Sequence, residues 1–332
     1  MRNFALGGTG FTLGVSRYAE VAENCQPDLI FIEYAVNDQA VDFADVSDTA
    51  EGLIREIKAH SPMADIVFVK TYSKYMSTGK TLKYPESFSA VDQLAAHYDA
   101  MSIDVATPIY NAIIAAGKGE EKLGNNVGDY IADDVHPTDK GHALYKDVIW
   151  NKIRDLLAAP AEKPAREYAP IDDSYITGSL TYMTEPAVEK TGWTVVDIPA
   201  GNKFSVVDQM IYSEEKDDTI RFTFNGTGIG VYYNRNLNNN LGTLACSIDG
   251  GSERIVSLKP GTYGHHVTIA DDLSAGEHTI VLRHIANGSA ETDTSGGNLA
   301  GSEDGTEIVE GTDVTPIYLG AFYVLDRISG TN

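Results

Sequence analysis

The sequence of 332 residues predicts two domains of different class: a three-layer α/β/α domain over residues 1–157, and an antiparallel β-sandwich of jelly-roll type over residues 171–326. Three observations predict it. The chain is longer than the roughly 100 to 200 residues that one core usually serves. Its first half alternates apolar strand-length runs with helical patterns, whereas its second half is short strands parted by Gly, Asn and Asp turns. Between them, "AAPAEKPAREYAP" carries three prolines and no periodicity, which marks 158–170 as a linker.

The elements follow in order. "NFALGGTG" (Asn3–Gly10) reads as a strand remnant ending at Leu6 and then a glycine turn. "PDLIFIEYAV" (Pro27–Val36) and "ADIVFVKTY" (Ala64–Tyr72) are continuous apolar runs rich in β-branched and aromatic residues, as strands covered on both faces require. Between them Asp45–His60 places Leu53, Ile54 and Ile57 on one helix face. A helix over about Glu86–Met101, a weaker strand at "SIDVAT" and a short helix after Pro108 come next. The last helix, Thr138–Leu157, repeats Leu144, Val148, Ile149, Ile153 and Leu156 at helical spacing, with Thr138 as N-cap. Beyond the linker, "GWTVVDI", "TIRFTFNGTGIGVYYN", "LACSIDGG", "HHVTIA", "HTIVLRHI" and "IYLGAFYVL" read as sandwich strands.

Composition narrows the function classes. A net charge of −23 disfavours nucleic acid and anionic membrane as partners, since few cations are present to replace counterions on phosphates. No apolar stretch approaches the roughly 18 residues of a membrane helix. Cys25 and Cys246 fall in different domains without metal-ligand spacing and read as free thiols. "NLNNN" and "TDTSGGNLAGSEDGTE" are polar loops; the second offers oxygen ligands for calcium, but a solvated acidic loop is the preferred reading. Trp193, Tyr232, Tyr233 and Tyr263 are candidates to stack on sugar rings, with packing in the core or on a sheet face as the plainer reading of each.

In an open α/β sheet, functional groups collect in loops after the carboxyl ends of strands. Three segments sit there: "NFALGGTG", "AVNDQ" (Ala35–Gln39) and "DDVHPTDKGH" before the last helix. Taken singly, Gly7, Gly8 and Gly10 form a turn, Asn37 is a turn former, and Asp133 with His136 is a surface loop or, with Asp139 and His142, half a metal site. Together, and in this order, the three segments resemble the SGNH, or GDSL-type, hydrolase family over roughly residues 3–157. The resemblance implies a flavodoxin-like sheet, an ester hydrolase without metal or organic cofactor, and named roles. Gly8 and Asn37 would form the oxyanion hole, His136 would be the base, and Asp133 would orient it. The family's usual glycine two residues before the asparagine is Ala35 here.

The chemistry suits those residue types. An imidazole activates a hydroxyl nucleophile when a carboxylate fixes its tautomer, and donors aimed at the developing oxyanion stabilise the tetrahedral intermediate. The serine itself is missing from the expected place. The family carries it in a Gly-Asp-Ser block ahead of the glycine segment, and no "GDS" occurs in this sequence. Ser179 in "TGSLTYM" and Ser16 both lack the strand-to-loop setting. Two explanations compete: a fragment whose first, central strand lies upstream, or a relic that has lost catalysis. The fragment is favoured, because losing only catalysis does not call for removing the strand between Leu6 and Pro27–Val36. On that reading a secretory signal is missing for the same reason, which leaves cytoplasmic and secreted locations both open. The expected substrate is a small-molecule or oligosaccharide ester, with acetyl groups on carbohydrate foremost. The alternative is a non-catalytic carbohydrate-binding protein.

Overall fold

The structure, a computed structural model, describes residues 1–78, 81–116, 129–158, 168–199, 207–233, 242–258, 266–286, 299–300 and 313–329. Most of the expected linker, the "NLNNN" segment, Tyr263 and nearly all of the acidic loop lie outside the described residues. The chain divides into two compact units. An α/β unit comprises Gly10–Thr12, Glu20–Tyr175 and Ser329–Asn332, and a sandwich unit comprises Met1–Thr9, Leu13–Ala19 and Ile176–Ile328.

The first part of the chain runs α1 (Phe11–Asn24), β1 (Leu29–Ile32), α2 (Phe43–His60), β2 (Asp65–Lys70), a 3₁₀ turn (Lys74–Met76), β3 (Ser77–Thr78), β4 (Thr81–Leu82), α3 (Glu86–His97), β5 (Met101–Asp104), α4 (Ala106–Ala115) and α5 (Asp139–Ala158). Strands β1, β2 and β5 form a parallel sheet in that order, with Ile30 opposite Ile66 and Val69 opposite Ile103. Strand β2 is buried at Ile66 to Lys70, so both its faces are covered, as its unbroken apolar run requires. Helix α2 starts where the Asp42 carboxylate accepts the Asp45 N–H (3.0 Å). It buries Val46, Ala50, Leu53, Ile54 and Ile57 along one stripe and packs on α3.

Several boundaries differ from the sequence reading for local reasons. Helix α3 stops at His97 because Asp99 takes a left-handed backbone (φ 52°). Helix α4 starts ahead of Pro108, because Asp104 caps it by accepting the Thr107 N–H at 3.0 Å and its hydroxyl at 2.6 Å. Proline is harmless there, in a first turn whose N–H groups lack intrahelical partners. The expected strand at Asn3–Leu6 does not form. The Ala5 N–H turns back onto Asn3 Oδ1 (2.9 Å), and Leu6 is buried in a cluster with Leu13, Ile176, Tyr232 and Tyr323. Among the described residues the second edge of β1 takes no strand, and Phe31 is 45% exposed.

The second part of the chain is antiparallel. It comprises β6 (Ser174–Tyr182), β7 (Val188–Thr191), β8 (Thr194–Asp197), β9 (Gln209–Ser213), β10 (Thr219–Asn225), β11 (Gly228–Tyr233), β12 (Thr243–Ile248), β13 (Arg254–Ser257), β14 (His266–Ala270), β15 (Glu277–Ile285), β16 (Leu299–Ala300) and β17 (Ile317–Ser329). One sheet runs β16-β13-β12-β15-β10-β7, and the other β14-β11-β17-β9-β8 with β6 also paired to β17. Ser179 lies within β6 rather than in a loop that follows a strand. Phe222, Leu282 and Leu244 from one sheet meet Val231, Phe322 and Ile211 from the other in a shared core. The Phe222 and Phe322 rings stack at 4.9 Å. The far side of the second sheet is also apolar: Tyr232, Tyr323 and Met210 are covered by Leu6 and Leu13. Trp193, Tyr232 and Tyr233 are therefore buried, and the plainer reading of these three aromatics is the one that holds.

Candidate active site

The best-defined polar constellation lies in the turn from Asp129 to Thr138, which leads into α5. Ile131 pairs with Pro137, the Ala132 N–H donates to the His136 carbonyl (2.8 Å), and the Thr138 N–H donates to the Tyr130 carbonyl (2.9 Å). Thr138 accepts the Gly141 N–H at 3.2 Å, the N-cap bond expected from the sequence. In this closed turn Asp133 Oδ1 accepts the N–H groups of Val135 and His136, both at 2.9 Å. Its Oδ2 lies 2.7 Å from His136 Nδ1. A carboxylate placed so makes Nδ1 the protonated nitrogen and leaves Nε2 as the nitrogen with a free lone pair. Partial burial acts to raise the Asp133 pKa, but the two backbone N–H groups and the imidazole outweigh it and bring it down to about 2. Asp133 is thus anionic at any ordinary pH. The His136 side chain is 68% exposed, and among the described residues no group hydrogen-bonds its Nε2.

Asp134 faces elsewhere. Its carboxylate pairs with the Lys74 ammonium and accepts the Tyr75 hydroxyl at 2.7 Å, while its carbonyl accepts the Lys74 N–H at 2.8 Å. The turn after β2 is thereby fastened to the His136 turn.

Asn37 sits in the turn that follows β1, its N–H donating to the Tyr34 carbonyl at 2.9 Å. The neighbouring Asp38 accepts the Phe11 N–H at 2.8 Å, placing a carboxylate at the start of α1. Gly10 permits this: a Cβ there would lie 1.8 Å from Asp38 Oδ1, so no side chain fits. Gly8, counted with the sandwich unit, takes the left-handed backbone of a turn (φ 72°). Of the four residues singled out in the sequence, the structure joins Asp133 to His136 and sets Asn37 and Gly8 each in a tight turn.

Two acidic groups escaped the sequence reading. Glu33, at the end of β1, keeps an open patch of surface yet is surrounded by protein on most sides, so its carboxylate is poorly hydrated. That raises its pKa to about 7; the Thr71 hydroxyl at 2.8 Å opposes the shift and the Asp38 charge adds to it. Burial likewise raises Asp38 to about 6, against the opposing Phe11 N–H. Neither was legible, because the partners lie 38 and 27 positions away.

A second serine, histidine and aspartate lie close together in the sandwich unit. Ser213 Oγ is 2.8 Å from His284 Nδ1 and 2.7 Å from Asp218 Oδ2, and His284 Nε2 is 3.0 Å from the Thr315 carbonyl. The order is wrong for catalysis, since the carboxylate holds the serine rather than the imidazole and both imidazole nitrogens are engaged. His284 is fully buried, and that burial lowers its pKa. The group is a structural knot. Among the described residues no three His, Cys, Asp or Glu side chains converge as metal ligands, and no helix is long and apolar enough to cross a membrane.

The class that the fold and this turn define is an α/β domain with a carboxylate–imidazole pair in a loop beyond its parallel sheet. Residues 1–144 match the model of the GDSL-like lipase/acylhydrolase family. No curated protein sequence matches the chain. Two crystal structures of a two-domain esterase (CEX) active on acetylated mannans, one co-crystallized with mannopentaose, share the fold. The TM-scores are 0.72 for the co-crystal and 0.73 for the other, at 20% and 21% identity; both cover 98% of this chain, and 79% and 80% of theirs. The α/β domain followed by antiparallel sheets is thus a fold that this chain shares with those structures.

Proposed function

We propose that the protein is built for serine-type hydrolysis of O-acetyl esters on carbohydrate. His136 is the general base, Asp133 holds its tautomer, and the Asn37 amide is an oxyanion donor. One observation carries the reading: the 2.7 Å Asp133–His136 contact, within the segment that matches the GDSL-like family model. In this chemistry the imidazole takes a proton from a serine hydroxyl as it attacks the acyl carbon and gives it to the departing sugar oxygen; it then takes a proton from a water that attacks the acetyl-serine, and returns that proton to the serine oxygen as acetate leaves. The activity of CEX on acetylated mannans supports the choice of substrate class.

The nucleophile is the step this sequence does not supply in the family's form, for it contains no Gly-Asp-Ser. The 332-residue chain alone should therefore release no appreciable acetate from acetylated mannan. A fusion that supplies a strand ending in Gly-Asp-Ser ahead of Asn3 should release it, and His136→Ala should abolish that activity. Acetate release by the fusion that survives His136→Ala would sink the proposal. The open Nε2 of His136 also favours a second reading, a carbohydrate-binding protein without catalysis. Its signature is a fusion that binds acetylated mannan and releases nothing.

A further inference from the structure

Among the described residues, Tyr75 and Tyr84 are exposed aromatic side chains whose hydroxyls are tied to a carboxylate, and Tyr75 is the one tied to the His136 turn. Trp193, Tyr232 and Tyr233 are interior, so the sandwich aromatics singled out in the sequence and described here are no platform for a sugar. Tyr75 differs from them in every respect. It is 59% exposed, and it lies on the 3₁₀ turn Lys74–Met76 that follows β2. Its hydroxyl donates to Asp134 at 2.7 Å, and its N–H donates to the Oγ of fully buried Ser73 at 3.2 Å. The Lys74 ammonium stands 5.1 Å from its ring centroid and pairs with the same Asp134. Asp134 adjoins Asp133, the residue that orients His136, so the ring is pinned to the catalytic turn itself.

Leaving such a ring in water forgoes the burial that ordinarily stabilises an aromatic side chain, while pinning it costs side-chain freedom. A ring already ordered and still exposed binds a flat apolar face with less entropy left to lose. The C–H face of a pyranose is such a surface, and a pinned tyrosine gives it area and one orientation. Building on the acetyl-carbohydrate reading above, we propose that Tyr75 is a specificity-determining residue whose ring stacks on the sugar bearing the ester and so presents that ester to His136. Asp134 is then a positioning residue that fixes the ring relative to the catalytic turn.

Calorimetric binding of O-acetylated manno-oligosaccharides to the 332-residue chain tests this without needing turnover. Tyr75→Ala should weaken binding by about tenfold, the scale of one lost aromatic contact. Tyr75→Trp should retain binding, whereas a purely structural tyrosine would tolerate neither change in the same way. Asp134→Asn should weaken it less than Tyr75→Ala, since the ring remains. Binding by Tyr75→Ala equal to wild type, with unchanged thermal unfolding, would overturn the assignment of Tyr75 and leave the carbohydrate reading standing. A wild-type chain that binds no acetylated oligosaccharide at millimolar concentration overturns both.

Discussion

At Asp133 the two carboxylate oxygens are divided between backbone and imidazole, and at Asp134 between Lys74 and Tyr75. Adjacent aspartates thus serve different partners. In a protein supplied with the Gly-Asp-Ser segment, Asp133→Asn should lower kcat on acetylated mannan by on the order of 10⁴-fold, because the wrong imidazole tautomer is then favoured. Asp134→Asn should show itself mainly in KM. Equal losses of kcat at the two positions would undo the assignment. The pairing of Asp133 with His136 was legible through the resemblance of "DDVHP" to the family's Asp-x-x-His block, a three-residue spacing that can put both side chains on one side of a tight turn. Lys74 and Tyr75 were not legible, since they reach the turn from about 60 positions away in sequence, with no periodic signal to announce them.

Among the elements, β1 shows most plainly what pattern can and cannot give. Its apolar run announced a strand, but the ordered ladder is only Leu29–Ile32, and Glu33 just beyond it keeps an open patch of surface while crowding by protein raises its carboxyl pKa. The linkage has a definite sign. An unfolded chain releases the Glu33 proton near the ordinary value of 4.5, whereas the folded chain holds it to about 7. Between those values the folded state binds more protons, so stability falls as pH rises and is level above about 7. Asp38, held to about 6, acts in the same direction. Asp133 acts oppositely and outside this window, its contribution being lost only as pH falls towards about 2. Denaturant unfolding followed from pH 4.5 to pH 7 should therefore show declining stability in wild type and a shallower decline in Glu33→Gln. An unchanged slope in Glu33→Gln would mean that its carboxylate is hydrated. The helices were easier to read than this strand end, because α2 and α5 carry their stripes and caps within their own sequence.

At the scale of the whole molecule, the two units differ in how completely their sheets are paired and covered. The sandwich unit has two six-stranded sheets with one shared core, and its second sheet is packed on both faces. The turn-rich sequence announced that antiparallel domain, but not the burial of its second face, because Leu6 and Leu13 come from the far end of the chain. Among the described residues the parallel sheet of the α/β unit has three strands, and β1 at its edge pairs on one side only, with Phe31 45% exposed. An open parallel edge lacks ladder bonds and burial together, so local opening there costs less than opening within the sandwich. Limited proteolysis should then cut first within Glu20–Tyr175 and leave a resistant core drawn from Ile176–Ile328. The two tryptophans give an independent reading, since Trp150 lies in α5 and Trp193 in the sandwich core. In single-tryptophan variants made by Trp193→Phe and Trp150→Phe, the Trp150 signal should change at lower denaturant than the Trp193 signal. Coincident transitions, with proteolytic cuts spread evenly over both units, would show that the open edge of β1 is no weak point and that the chain unfolds as one.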